Sequence, residues 1–174
     1  MARPEEGAGS DQGAVLLALY DRALPEVYGY LVSRCGDAAQ AEDLTAETFL
    51  AAVGAVQRGA VEHLTTAWLV GVARHKLVDH WRRLARDERN LRVAADEVQP
   101  EEDPWDARLD AAVARTVLAG LAPHHRAALT LRYLDGLSVP EVAEHMGRTV
   151  HATEALLVRA RTAFRRAYHE GRQS

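Results

Sequence analysis

The sequence predicts an all-α protein of two small helical domains joined by an acidic linker, the second of them a helix-turn-helix domain. Three observations carry this. Apolar residues recur at three and four positions through most of the 174 residues, and no stretch alternates apolar and polar residues between turn signals, as a half-buried strand requires. The run Gln99-Pro100-Glu101-Glu102-Asp103-Pro104 sets two prolines among like charges, and such a segment cannot bury enough surface to fold. After Gly136 come a short capped helix, a glycine turn and a longer helix bearing basic residues, the layout of a helix-turn-helix.

Taken in order, a first helical stretch runs from about Ala14 to Arg34. Pro25 inside it marks either a kink or the first turn of a second helix. Gly36 suits a helix C-cap, and Asp37 with Gln40 three residues on forms a capping box for the next helix. There Ala41, Leu44, Thr48, Ala52 and Val56 make a core-facing stripe that Arg58-Gly59 ends. Thr65 or Thr66 caps a helix from about Ala67 to Leu84 or beyond. Trp68, Leu69, Val72, Ala73 and Leu77 line its buried face, while Arg74, Arg82, Arg86 and Arg89 form a ladder on another. The linker spans 95–106 and separates pieces 14–94 and 107–170. Pieces that small bury a modest share of their surface, so both are expected to dock on a large partner.

In the second piece a helix from about Ala107 to Leu121 ends before Pro123. Another runs from Pro123 to Tyr133 and stops at Asp135-Gly136. Ser138 and Glu141 form a capping box, with Leu137 able to staple onto Val142, and the short helix ends near Met146-Gly147. Thr149 caps the last helix, whose inward stripe is Val150, Thr153, Leu157, Ala160 and Phe164.

Charge is segregated. The net charge is −4, which argues against an autonomous tight DNA binder. Residues 1–66 hold four cations against ten acids, and 96–110 hold one against seven. Residues 67–95 hold seven cations against three acids, and 111–174 hold nine against five. Two basic blocks thus stand apart on a chain that otherwise repels polyanions, which points to two polyanion-facing surfaces. In the first block Trp81 lies among His80, Arg82 and Arg83, where an aromatic among cations could stack on an unpaired base. In the second, Thr149, His151, Ala152, Glu154 and Ala155 fall at the exposed start of the last helix, where base edges are read. Arg159, Arg161, Arg165 and Arg166 follow and suit phosphates.

Other chemistries find no support. No apolar run approaches the ~20 residues of a membrane span. Met1 to Ser10 contain Glu5 and Glu6 and no apolar run, so no secretory signal is expected. Cys35 is the lone cysteine, which excludes an internal disulfide and fits a reducing cytoplasm. Eight histidines are present, but His75 and Asp79 share a helix face without a third ligand, and no H-E-x-x-H occurs. No phosphate loop or nucleophile motif is found. The expectation is no metal, no cofactor and no catalytic residue: not an enzyme.

The segments in their order resemble a bacterial RNA polymerase sigma factor of the extracytoplasmic-function (ECF) type. The likeness rests on 19–21, 35–37, Ala41-Glu42-Asp43-Leu44-Thr45-Ala46-Glu47-Thr48-Phe49 and the run from Trp68 to Arg83. It continues through Leu121-Ala122-Pro123, Leu131 to Ser138, Glu141 to Gly147 and Arg159-Ala160-Arg161. It covers most of 15–168.

The resemblance implies core RNA polymerase and promoter DNA as partners, an anti-sigma factor as a further partner class, and a cytoplasmic location. By it, 14–94 is a region-two-like domain whose Glu42, Asp43, Leu44, Glu47 and Phe49 face the polymerase clamp. Arg74, His75, Lys76, Asp79, Arg82 and Arg83 hold the minus-ten element, with the loop from Arg58 to Thr66 pocketing a flipped base. Residues 107–170 form a region-four-like domain that reads the minus-thirty-five duplex with Arg148, Thr149, His151, Ala152, Glu154, Ala155 and Arg159. The chain departs from the family pattern at His75, where asparagine is usual, and at Glu154 and Leu156, where cations are common. Glu154 would then point away from the duplex, accept from a cytosine amino group, or repel unrelated promoters. A stand-alone helix-turn-helix regulator that binds duplex without polymerase is the alternative from another class; the two separated domains and the acidic surface weigh against it.

Overall fold

The computed structural model of the chain describes residues 7–91 and 110–171. Every regular element among them is helical: α1 (Gly7–Cys35), α2 (Ala38–Gln57), α3 (Thr66–Leu91), α4 (Ala111–Gly120), α5 (Pro123–Leu129), α6 (Val139–Met146) and α7 (Val150–Gly171). Two compact units result, Met1–Leu77 and Val78–Ser174, and the division falls inside α3. The linker 95–106 that the sequence marks as the joint lies outside the described residues.

In the first unit α1 passes through Pro25 as one element, with no second helix starting there. Proline removes one N–H donor from the ladder. Against that loss, Leu16, Leu19, Ala23, Val27, Leu31 and Cys35 recur every three or four residues on both sides of it, and all are buried. One continuous apolar stripe therefore holds both halves to one core. Gly36 turns the chain at φ 70, in the left-handed region that glycine enters without a Cβ clash. Asp37 caps α2 by accepting from the Ala39 N–H at 3.0 Å.

The predicted stripe of α2 is buried throughout, and Thr45 joins it. The hydroxyls of Thr45 and Thr48 donate to the carbonyls of Ala41 and Leu44 at 2.6 and 2.7 Å, so neither is stranded in the core. Between the two candidate caps of α3 it is Thr65 whose hydroxyl oxygen accepts from a first-turn amide, that of Trp68, at 3.1 Å. Leu69, Ala73 and Leu77 are buried as expected, while Trp68 and Val72 are half-buried.

The second unit is assembled around α7. Asp110 caps α4, its carboxylate accepting from the amides of Ala112 and Val113 at 2.9 and 3.1 Å, while the expected start near Ala107 lies outside the described residues. The Asp110 N–H in turn donates to the Tyr168 hydroxyl at 2.8 Å, fixing the start of α4 against the end of α7. Leu129, Ala160, Phe164 and Tyr168 form a buried cluster, with Val113, Val117, Leu118 and Leu121 packed against it. Pro123 opens α5 where its missing N–H costs nothing.

The helix predicted to reach Tyr133 does so, but its last stretch, Thr130–Leu134, widens into a π-turn. There Asp135 N–H donates to the Thr130 carbonyl at 3.0 Å, and Gly136 follows at φ 69. Arg132 Nη1 donates to the Leu137 carbonyl at 2.8 Å, closing that corner. The capping box of α6 forms: the Glu141 carboxylate accepts from the Ser138 N–H at 2.7 Å and from its hydroxyl at 2.6 Å. Gly147 then takes φ 60, ψ 44, and Thr149 caps α7 by accepting from the Ala152 N–H at 3.2 Å. The inward stripe of α7 holds at Thr153, Leu157, Ala160 and Phe164 and gains Leu156 and Tyr168. Val150 is the exception, lying exposed in the first turn before the helix has reached its packing partners.

Candidate nucleic-acid and partner interfaces

On α2, Glu42 and Asp43 are exposed, and Glu47 is half-buried. The Glu47 carboxylate lies 3.7 Å from the Lys76 ammonium, which ties one residue expected at the polymerase to one expected at the minus-ten strand. Phe49 is half-buried against the Tyr20 ring, centroids 4.8 Å apart. Leu44 corrects the sequence reading. It is 1% exposed and belongs to the core stripe, so it offers no surface to a partner.

The structure adds an apolar groove of about 520 Å³ between α1 and α2, lined by Tyr20, Leu24, Pro25, Tyr28, Glu42 and Phe49, among others. Leu24 and Tyr28 were not singled out from the sequence, although their four-residue spacing with Tyr20, which entered only through the family likeness, puts all three on one face of α1. Leu17 at 76% exposed and Leu50 at 71% extend the apolar surface on the same two helices. Acid and apolar surface are thus offered together on one unit.

On α3 the expected strand-holding residues divide. His75, Asp79, Arg82 and Arg83 are exposed, while Arg74 and Lys76 are half-buried. Arg82 pairs with Asp79 at 3.5 Å across one turn. Trp81 is a second correction: it is 2% exposed, continuing the buried series Leu69, Ala73 and Leu77, and Arg126 stands over its ring at 5.4 Å from the centroid. It is therefore not free to stack on a base. Arg58, Gly59 and Ala60 of the loop before α3 are exposed, with Gly59 at φ 64.

On α7 the first turn is open. Thr149 and Glu154 are exposed, Arg148, Ala152 and Ala155 are half-buried, and His151 is 97% exposed. His151 Nδ1 lies 3.9 Å from a Glu154 carboxylate oxygen, a pair the i, i+3 spacing allows. Arg159 is exposed one turn beyond. It acts on His125 of α5, whose pKa is lowered from 6.5 first by burial and then by the Arg159 charge. Arg161 Nη1 reaches the Tyr133 hydroxyl at 3.3 Å, so it is directed toward the π-turn. Leu156, which stands where a cation is common in the resembled family, is buried and serves the core.

Among the described residues no group of three or more His, Cys, Asp or Glu could hold a metal ion, and no helix is long and apolar enough to cross a membrane. What the two units present is an acidic, partly apolar helix pair, an exposed set of cations on α3, and a helix-turn-helix with an open reading turn.

Comparison with known proteins places it further. Residues 19–87 match the model for Sigma-70 region 2, and residues 112–164 match that for Sigma-70, region 4. The chain is 36% identical over 151 residues to the ECF RNA polymerase sigma factor SigL of Mycobacterium tuberculosis, covering 81% of each. It is 36% identical over 147 residues to the ECF RNA polymerase sigma factor BldN of Streptomyces coelicolor, covering 82% of this chain but 56% of that protein. In fold it is similar to the sigma factor RpoE of Bartonella quintana, solved with the anti-sigma factor NepR, at a TM-score of 0.52 and 21% identity, covering 86% of this chain and 94% of that one. The chain belongs to the ECF family of RNA polymerase sigma factors.

Proposed function

We infer that this chain is an alternative sigma factor: it binds core RNA polymerase, recognises promoter DNA, opens the strands and so starts transcription at a small promoter set. The observation that carries the reading is the pairing, on a chain of net charge −4, of matches to both regions with two separate basic helices. An acidic protein binds DNA poorly alone, so the polymerase must supply much of the DNA affinity.

In this reading 14–94 docks on the polymerase and holds the melted minus-ten element, 95–106 is the linker, and 107–170 reads the minus-thirty-five duplex. Glu42, Asp43, Glu47 and Phe49, with the groove beside them, meet the clamp. Arg74, His75, Lys76, Asp79, Arg82 and Arg83 hold the strand. Arg148, Thr149, His151, Ala152, Glu154, Ala155 and Arg159 address the duplex. Separating base pairs costs a few kcal/mol per extruded base, and a protein without nucleotide hydrolysis meets that cost only by binding the unstacked product. The chain therefore works in the cytoplasm by binding alone, as no enzyme, and an anti-sigma factor is the third partner class.

The test combines purified chain with core polymerase. Retention of core in a pull-down and new transcripts from genomic fragments are expected. If the chain fails to bind core or initiate, yet footprints duplex DNA alone, it is a stand-alone regulator.

A further inference from the structure

We propose that His151 and Glu154 act as one reading pair at the start of α7, His151 carrying a positive charge beside the Glu154 carboxylate while the unit lies on duplex DNA, so that the carboxylate can accept from a cytosine amino group. This rests on the reading of the second unit as a duplex reader. It goes beyond that reading by assigning a base, a positioning residue and a proton.

The starting observation is the 3.9 Å separation of His151 Nδ1 and Glu154 Oε2 on one face of the reading turn. The imidazole is 97% exposed and the Glu154 side chain 59%. In water such a pair adds little to stability. Its setting changes in a major groove, where water is displaced, the effective dielectric falls and phosphates line both sides. A bare carboxylate is repelled there.

Two protonation states are open to the pair. With a neutral imidazole, Nδ1 faces the carboxylate, Nε2 or Nδ1 carries the single N–H, and the pair carries one negative charge. With the imidazolium, both ring nitrogens carry N–H groups, the positive ring faces the carboxylate as an ion pair, and the pair is neutral. The negative potential of the duplex favours the second state. Binding then takes up one proton, so affinity falls as pH rises.

The neutralised carboxylate keeps a free lone pair for the cytosine N4 amino group, the contact an acidic side chain makes in the major groove. Its neighbours Ala152 and Ala155 are small and half-buried, so they do not bar a base edge. Elements packed on α7 bring other charges: Glu141, Glu144 and His145 from α6, His124, His125 and Arg126 from α5, and Arg115 from α4. None covers an imidazole exposed to this degree. Arg148 immediately precedes the turn and is half-buried. His151 acts through Glu154 and is a positioning residue.

The experiment uses holoenzyme assembled from core polymerase and the full chain. A promoter pool randomised across both elements is transcribed at pH 6.0 and pH 8.0, and the productive sequences are read out. The wild type is compared with His151→Gln, His151→Lys and Glu154→Gln. All alter exposed side chains, and thermal melts check that the fold is kept. Wild type is expected to select cytosine at one upstream position, with the preference weaker at pH 8.0 than at pH 6.0, by at most about tenfold per pH unit, the limit for one linked proton. His151→Gln should lose the preference at both pH values. His151→Lys should restore it and remove its pH dependence, a rescue that a structural role would not show. Glu154→Gln should lose the cytosine preference.

A wild-type profile identical at the two pH values, or a His151→Gln profile identical to wild type, overturns the pair while leaving duplex reading intact. Initiation with no upstream selection by any of the proteins overturns duplex reading and the pair together. Failure of all proteins to initiate overturns the sigma reading on which both stand.

Discussion

Two helices of this chain, α3 and α7, carry most of its exposed cations, yet they hold them in different ways. On α3 charge is set by charge: Lys76 lies against Glu47 at 3.7 Å and Arg82 against Asp79 at 3.5 Å. The aromatic among them, Trp81, is committed to the interior. On α7 the frame is set by packing and capping. Thr149 fixes the first amides, six residues from Thr153 to Tyr168 are buried, and the first turn is left open. A melted strand is flexible and is gripped along its phosphates, which suits cations fixed in a row. A duplex offers its bases only at a defined depth, which suits a rigid helix with a sparse first turn. The difference in how side chains are fixed thus matches the difference in what each helix would meet.

The largest test of this contrast addresses the two aromatics. Phe164→Ala in α7 and Trp81→Ala in α3 should each cost about 3–5 kcal/mol of stability, since both delete a large buried side chain. Thermal melts of the full chain report it. A neutral Trp81→Ala would return that ring to the surface, restore it as a base-stacking candidate, and break the contrast between the helices.

Next in size is the acidic face of the first unit. Reversing Asp43 and Glu47 together should weaken binding to core polymerase by at least ~2 kcal/mol if the pair is desolvated at the clamp. Asp43 is exposed and Glu47 is half-buried, so the fold should survive, with a small loss from the broken Lys76 bridge. Unchanged affinity in a titration with core would move the interface off these two carboxylates.

Much of this was legible because the signals are local. The stripe of α2, the Thr149 cap, the Ser138–Glu141 box and the Gly147 turn each depend on residues within one or two turns of each other, and each stands as the spacing predicts. What was not legible needed the tertiary structure. Leu44 had two incompatible sequence readings, one from periodicity as core and one from resemblance as contact, and its burial decides for periodicity. Trp81 extends a four-residue series from Leu69, but the cations around it drew the reading outward. The unbroken α1 depends on a stripe that holds both sides of Pro25, and the π-turn at Thr130–Leu134 depends on packing that no propensity encodes. The candidate sites follow the same rule. Spacing places His151 and Glu154 on one face, but only the structure brings Nδ1 and the carboxylate together.

A third test sharpens the contrast by function. Arg82→Ala with Arg83→Ala removes two exposed cations of α3 and, if these hold the melted strand as proposed, should reduce open-complex formation more than duplex binding by the holoenzyme, because that strand exists only after melting. Permanganate reactivity of the melted region, set beside a footprint of the duplex, measures the two separately. Equal loss of both would make α3 a general phosphate contact, as expected of the later turns of α7.

The smallest expected effect lies behind α7 and follows from His125. Its pKa is lowered from 6.5 because burial penalises the imidazolium and the Arg159 guanidinium repels it. The folded unit therefore resists a proton that the unfolded chain accepts. Between the lowered folded value and 6.5 the unfolded state binds more protons, so stability rises with pH across that window. The contribution is fully present above ~6.5, falls as pH drops through the window, and is lost once pH lies below both values. Melting temperatures of the wild type should decline from pH 7.5 toward pH 5.5, and His125→Gln should flatten part of that slope while leaving the remainder, which belongs to other titrating groups. Arg159→Gln should flatten it less, since the charge is the lesser of the two causes. If Arg159→Gln flattened the slope more than His125→Gln did, the coupling would run through Arg159 to a different group, and the packing-first account of α7 would have to yield to the charge-first account given for α3.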